Sequence, residues 1–219
     1  MPRLLFEKVG NSVWISHLDL MRLFQRAFKR AGLPLVHSRG FNPRPSVSIA
    51  LPLSVGIESH CELLDFELEG EKVDNEEILR RLNENLVSGI QVLDVYDEGR
   101  KLKHLALLRS AVSFEYDAGI PEGAEEALTD LFAKTSLIVE KHGKNGTVQQ
   151  DIIPMIRKLQ IARVDDHTLG VDALICCQNP TLNPMQLGAA VEVYLPAYKA
   201  DFVKFSRIEI FDAEENTFR

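Results

Sequence analysis

Apolar and polar residues along the 219-residue chain follow two rhythms, one of period two and one of period 3.6. The runs RLLFEKV (3–9), SVSIALPLSV (46–55), CELLDFELE (61–69) and IQVLDVYDE (90–98) predict strands. VWIS (13–16) predicts a short strand after a Gly10–Asn11 turn. Between the first two runs lies SHLDLMRLFQRAFKRAG, in which Leu20, Met21, Phe24, Ala27, Phe28 and Ala31 share one helical face. Ser16 is the predicted cap, Asp19 closes a capping box three residues on, and Gly32 with Pro34 ends the helix. Asp74 caps a second helix that turns Ile78, Leu79, Leu82 and Leu86 inward. The resulting order, β-α-β-β-α-β, is the ferredoxin-like pattern.

The second half partly repeats it. AVSFEYDA (111–118) predicts a strand, and a helix runs from Pro121 to about Lys134. LIVEKHGKNGTVQQDI (137–152) predicts a hairpin turning at Lys144-Asn145-Gly146, because Asn-Gly favours a tight turn. PMIRKL reads as a short helical piece. A strand (HTLGVDALICC), a helix (NPMQLGAAVEVYL) and a last strand (VKFSRIEIF) follow. The expected fold class is α+β: two tandem ferredoxin-like units at 1–99 and 111–219, the second irregular, joined by a basic linker at 100–110.

Composition describes a globular chain, with no apolar run long enough for a membrane helix. The first residues lack the apolar stretch and cleavage site of a signal peptide. Three cysteines cannot build a disulfide framework, and a cytoplasmic, reducing home is the expectation. Net charge is −7, yet its distribution is uneven. From Leu20 to Ile57 there is no acid, while Arg22, Arg26, Lys29, Arg30, Arg39 and Arg44 give +6. Gly99–Phe114, also free of acids, adds +4 through Arg100, Lys101, Lys103 and Arg109. The other 15 cations face 32 acids, so the chain is polarised and its local field matters more than its total.

The common phosphate-loop, dinucleotide and zinc-protease patterns are missing, and no cysteine spacing fits a zinc or iron–sulfur cage. No metal and no cofactor are expected. His17 opens the basic helix, where the helix dipole disfavours its charged form. An acid–base role with Asp19, and with His37 beside the following loop, is conceivable. The stronger reading is structural, with Asp19 completing the cap and able to pair with Arg22 or Arg26.

Arg22, Arg26, Lys29 and Arg30 fall on the polar face of the helix without the interleaved acids that ordinary solvent faces carry. Like-charge crowding costs about a few tenths of a kcal/mol per pair, and an anionic ligand would relieve it. The loop HSRGFNPRPSVS (37–48) follows. Pro43 and Pro45 restrict Asn42 and Arg44 to extended geometry, and Gly40 permits a bend. A stiff loop loses little entropy on binding. Arg39 and Arg44 offer forked donors, and Phe41 either stacks on a base or plugs into the core. Arg22, Arg26, Lys29, Arg30, Arg39, Phe41, Asn42 and Arg44 are therefore the candidate anion or nucleic-acid contacts.

WISHLDLMRLFQRAFKRAGLPL, SRGFNPRPSVSIALPLSVGIES and ELLDFEL resemble the radical SAM-linked proteins, an uncharacterised bacterial family also catalogued as DUF2344. The likeness is specific through residues 1–70 and thins afterwards to Asp151 with Pro154, Asn183-Pro184, and Arg207 with Glu209. The family's loop reads Gly-Phe-Asn-Pro-His-Pro and then a basic residue. Here Arg44 replaces that histidine and Ser46 the basic residue, which argues against chemistry at this loop.

The resemblance implies a chain fused to, or encoded beside, a radical SAM enzyme, in the neighbourhood of ribosome-associated and RNA-processing genes. Without cluster-binding cysteines this chain is not the radical enzyme itself. The expected function is a non-catalytic accessory that recognises tRNA or rRNA for a radical SAM partner. The alternatives are an RNA-processing or RNA-modifying enzyme in its own right, and a protein–protein adaptor for that partner. Oligomeric state is left open by the sequence.

Overall fold

The alternation in the first run places Leu4, Phe6 and Lys8 on one face of strand β1 (Arg3–Lys8). Lys8 is buried with them, and its ammonium donates to the Val13 carbonyl at 3.0 Å, as a buried charge requires. Arg3, on the other face, is equally buried. Its guanidinium grips Asp65 at 2.6 and 3.0 Å, donates to the Arg100 carbonyl at 2.9 Å, and lies over the Phe218 ring.

The structure, a computed structural model, describes residues 1–143 and 146–219. Two units are distinguished, Met1–His104 with Phe218–Arg219, and Leu105–Thr217. In the first, β1 leads through a 3-10 turn (Gly10–Trp14) to helix α1 (His17–Arg30), then strands β2 (Val47–Ile49) and β3 (Ile57–Phe66). Helix α2 (Asn75–Asn83) and strand β4 (Ile90–Tyr96) complete it. The strands lie in the order β4-β1-β3-β2, every neighbouring pair antiparallel. Ser16 and Asp74 cap the two helices as the sequence predicts, each accepting from a backbone N–H of the first turn. Phe24 meets Phe6 edge-on with ring centroids 4.7 Å apart, and Phe28 meets Phe66 at 5.2 Å. Leu4, Leu20, Leu64, Ile78, Leu82 and Val92 fill the same core.

The second unit runs strand β5 (Leu107–Glu115), helix α3 (Ala124–Phe132), hairpin strands β6 (Ile138–Gly143) and β7 (Gly146–Asp151), and strands β8 (Ile156–Arg163) and β9 (Thr168–Cys176). Helix α4 (Met185–Tyr194) and strand β10 (Phe202–Phe211) follow. Here the order is β10-β5-β9-β8, again antiparallel throughout, with β6 and β7 forming a separate pair. The predicted turn residues Lys144 and Asn145 lie outside the described residues. The protein is thus mixed α and β, with antiparallel strands and, among the described residues, four α-helices. No helix among the described residues is long and apolar enough to cross a membrane.

Three expected elements differ. VWIS forms no strand: Val13 and Trp14 end the 3-10 turn, which buries Ser12 and Val13 and leaves Trp14 exposed, and Ser16 caps α1. The run 46–55 is strand only over Val47–Ile49, because Leu51 turns to a positive φ of 46° ahead of Pro52. PMIRKL is a 3-10 turn (Ile153–Met155) running into β8. The stretch 100–110 also carries structure, a 3-10 turn at Leu102–His104 and the first residues of β5.

The scattered marks in the second half have structural roles. Asp151 accepts from the Leu137 and Ile153 backbones at 2.9 and 3.2 Å and so ties the hairpin's two ends together. Those bonds, with one from Ser136, hold its carboxyl below the usual carboxylate range, the Leu137 bond most strongly. Asn183 accepts from Met185 at 3.1 Å while its own N–H donates to Gln186 at 3.1 Å, which starts α4. Arg207 is buried in β10.

Two outcomes test this description. Gly89 has φ of 82°, and a Cβ there would stand 2.4 Å from the Val9 carbonyl, so Gly89→Ala is expected to cost about 1–3 kcal/mol in a denaturant titration. Asp151→Ala is expected to lower the melting temperature at neutral pH. Its folded-state carboxyl titrates below the ordinary 3.8, so the wild-type advantage is complete above that value. It drains away as pH falls through the depressed folded pKa, and the two melting curves converge in acid.

Candidate functional site

Ser16 sets where α1 begins, and therefore which residues share its polar face. The Ser16 hydroxyl donates to the Asp19 carboxylate at 2.8 Å, and Arg22 donates to the same carboxylate at 3.0 Å. These two bonds, that from Ser16 the stronger, hold the Asp19 carboxyl below the usual carboxylate range. Arg22 is thus answered within its own helix. Arg30 donates to the Asn85 carbonyl. The expected row of four unpartnered cations is reduced to Arg26 and Lys29. Neither has a carboxylate at ion-pair distance among the described residues, and the same holds for Arg39 and Arg44.

The proline-bearing loop is a finger with a backbone ladder at its base. Val36 N–H donates to the Glu67 carbonyl at 2.9 Å, and Ser46 N–H returns to the Val36 carbonyl at 2.7 Å. One step further out, Ser38 N–H donates to the Arg44 carbonyl at 2.8 Å, and Arg44 N–H donates to the Ser38 hydroxyl at 2.9 Å. Arg39, Gly40, Phe41, Asn42 and Pro43 form the tip, and all are exposed. Phe41 is 100% exposed, so the core-plug alternative is discarded. The ladder holds residues 38 and 44 apart from the core, and a ring at the tip has nothing to bury against.

Between the end of α1 and the base of the finger lies a cleft of about 520 Å³. Arg26 and Lys29 line it from the helix, and Leu33, Pro34, Leu35 and Pro45 supply apolar walls. His37 and Glu69 also line it, with His37 Nδ1 3.8 Å from a Glu69 carboxylate oxygen and both side chains half exposed. The structure thus gathers Arg26, Lys29 and His37 from the sequence candidates into one concavity. Arg22, Arg30, Arg39, Phe41, Asn42 and Arg44 do not line it.

The imagined acid–base set is not assembled. His17 and Asp19 open α1, whereas Lys29 and the cleft lie near its end, about 18 Å further along the axis at ordinary helical rise. His37 is on the cleft side, so the two histidines serve different places.

Sequence reasoning missed Glu69 and the apolar walls. Glu69 reaches the cleft because its N–H donates to the Pro34 carbonyl at 2.8 Å beside the Leu35–Leu68 bridge. That pairing joins residues more than thirty positions apart, which no local pattern announces. In the second cationic stretch, Arg100 lies over Phe218 and Arg109 pairs with Asp172 at 2.9 Å, so Lys101 and Lys103 are its exposed remainder.

A second cavity, of about 530 Å³, lies within the second unit against Phe114, Val191, Val203 and Phe205. Its rim cations are engaged, Lys199 with Glu192 and Lys141 with the Thr181 carbonyl. Among the described residues, no three His, Cys, Asp or Glu side chains gather as a metal-holding group.

Comparison with solved structures gives weak likenesses. A crystal structure of an unknown protein from Galdieria sulphuraria is 12% identical, with 94% of this chain and 96% of that chain covered at a TM-score of 0.27. A structure described as "putative glycine cleavage system transcriptional repressor" is 14% identical, with 94% and 98% covered at a TM-score of 0.24. Overlap at that level carries no inference about fold or function. No curated protein matches. A family model does match, over residues 2–184, and its description is "Uncharacterized protein conserved in bacteria (DUF2344)". Matched over most of its length, the chain belongs to the DUF2344 family.

Proposed function

We propose that this chain is an RNA-binding accessory protein that holds tRNA or rRNA for a radical SAM enzyme and performs no chemistry itself. We read each unit as ferredoxin-like, since β4-β1-β3-β2 and β10-β5-β9-β8 follow one rule of strand order, with the β6–β7 hairpin inserted in the second. The setting is cytoplasmic, and the radical SAM partner rests on the resemblance described above.

One observation carries the RNA reading. Arg26, Lys29, Arg39 and Arg44, none with a carboxylate partner among the described residues, cluster in sequence around a finger that presents a fully exposed Phe41 on a hydrogen-bonded base. Free guanidinium and ammonium groups neutralise phosphates, and an exposed aromatic stacks on an unpaired base. An acidic protein surface would satisfy the cations but would leave Phe41 without a purpose. An enzyme built on His17, Asp19 and His37 is disfavoured because His17 and Asp19 open α1, whereas His37 lines the cleft near the other end of that helix.

Two measurements test the reading. With four phosphate contacts, affinity for single-stranded RNA is expected to fall with salt at a log–log slope of about −3. Affinity that ignores salt, or no binding at low salt, would remove the proposal in favour of the adaptor. Phe41→Ala is expected to leave the unfolding free energy from a denaturant titration within about 0.5 kcal/mol of wild type, because the ring buries nothing. The same change is expected to weaken RNA binding by about tenfold, the loss of one base stacked on an aromatic.

A further inference from the structure

The cleft beside the finger is not built for phosphate alone. Arg26 and Lys29, three residues apart on one helix face, suit a phosphate. Glu69 lines the same concavity, and its carboxylate repels one. Leu33, Pro34, Leu35 and Pro45 wall the same concavity and offer dispersion and apolar contact but no hydrogen bond from their side chains. A ligand that satisfies all three features combines a flat apolar body with an anionic group and a run of N–H donors. A nucleotide has that layout. The volume, about 520 Å³, lies in the ordinary range of small-ligand sites.

The carboxylate also discriminates among bases. Ionised Glu69 accepts and does not donate. His37 Nδ1 stands 3.8 Å from its nearer oxygen, beyond hydrogen-bond length, so carboxylate lone pairs stay open to a ligand. Guanine alone among the four bases places two neighbouring donors, N1–H and the exocyclic N2–H, on its Watson–Crick edge, which match the two oxygens of a carboxylate. Next to them guanine carries the O6 acceptor, which a ring N–H of His37 can serve. Adenine and cytosine offer a single amino group beside an acceptor, and uracil one N–H between two acceptors. Each would leave a ring nitrogen or carbonyl lone pair against the carboxylate.

Building on the RNA-binding reading, we infer that the cleft takes one unstacked guanine from single-stranded RNA, with its phosphate on Arg26 and Lys29 and its Watson–Crick edge on Glu69. The finger then supplies sequence-blind grip, and the cleft supplies choice of base.

The experiment compares fluorescein-labelled RNA heptamers, U7 and U7 with a central G, A or C, by fluorescence anisotropy against the full chain. The central-G strand is expected to bind about tenfold tighter than the other three, as one bidentate base contact gives. Glu69→Gln is expected to shrink that preference to within about twofold while U7 affinity holds or rises, since a negative charge is lost. Equal affinity of the wild type for all four strands, or a G preference that survives Glu69→Gln, overturns the guanine site and leaves RNA binding standing. If no strand binds at low salt, the RNA reading itself falls, and the guanine site with it. The wild-type comparison needs no variant, and a circular dichroism melt shows that Glu69→Gln is folded.

Discussion

Everything about the cleft depends on how the chain satisfies its backbone as it leaves α1. Leu33 N–H returns to the Phe28 carbonyl, after which Pro34 has no N–H to offer and the helix cannot resume. The freed groups pair sideways. Pro34 accepts from Glu69, Val36 donates to Glu67 and accepts from Ser46, and Glu67 donates to Ser46. Three segments distant in sequence are thereby fixed side by side, each bond worth about 1 kcal/mol net but costly to leave unmade. The finger's stiffness, the position of Glu69 and the concavity between them follow from that ladder. The side chains of the finger's tip contribute little to it, so they are free to vary without loss of the fold.

Charge along α1 serves two ends. Lys29 and Arg30 occupy the last turn, where cations are favoured by the helix dipole, and Asp19 occupies the first, where an anion is. Part of the cationic character is therefore structural in origin, and Arg22 and Arg30 already have partners. Arg26 is different. It stands mid-helix, gains little from either helix end, and lines an apolar hollow that Glu69 also lines. On the proposed reading, a charge so placed is stabilised by an anion that enters the hollow.

The helices and their caps were legible because Ser16 and Asp74 act through bonds to residues two or three positions away. The misread segments each have a local cause that a repeat pattern does not show. In β8 the pairing register shifts between Ile156 and Lys158, and that bulge spaces Ile156 and Leu159 three residues apart, which imitates a helical repeat. In the run 46–55 the apolar alternation is real, but Leu51 takes a positive φ that pattern reading does not foresee. The irregularity of the second unit has one source, the β6–β7 hairpin between α3 and β8. Set aside that pair, and both units place their strands by the same rule. Of the candidate site, the cations and Phe41 were legible as residue types. Which of them converge was not, because Glu69 joins them through pairing across more than thirty residues.

The two halves differ in what their distinctive residues accomplish. Asp151 anchors a hairpin, Asn183 opens a helix, and Arg207 is buried in a strand; each is engaged in holding its own surroundings. The side chains of Arg39, Phe41 and Arg44 are given no such task by any bond among the described residues. Their side chains stand in solvent on a backbone that is braced by hydrogen bonds and two prolines. A loop that merely reversed the chain would need neither the brace nor a bare aromatic ring at its tip, since exposed phenylalanine lowers solubility and stabilises nothing. Rigidity without burial has a physical return only when something else completes the contact, because the ordering entropy is then already spent before the ligand arrives. On that ground the proposed function rests on the finger rather than on the apolar cavity of the second unit.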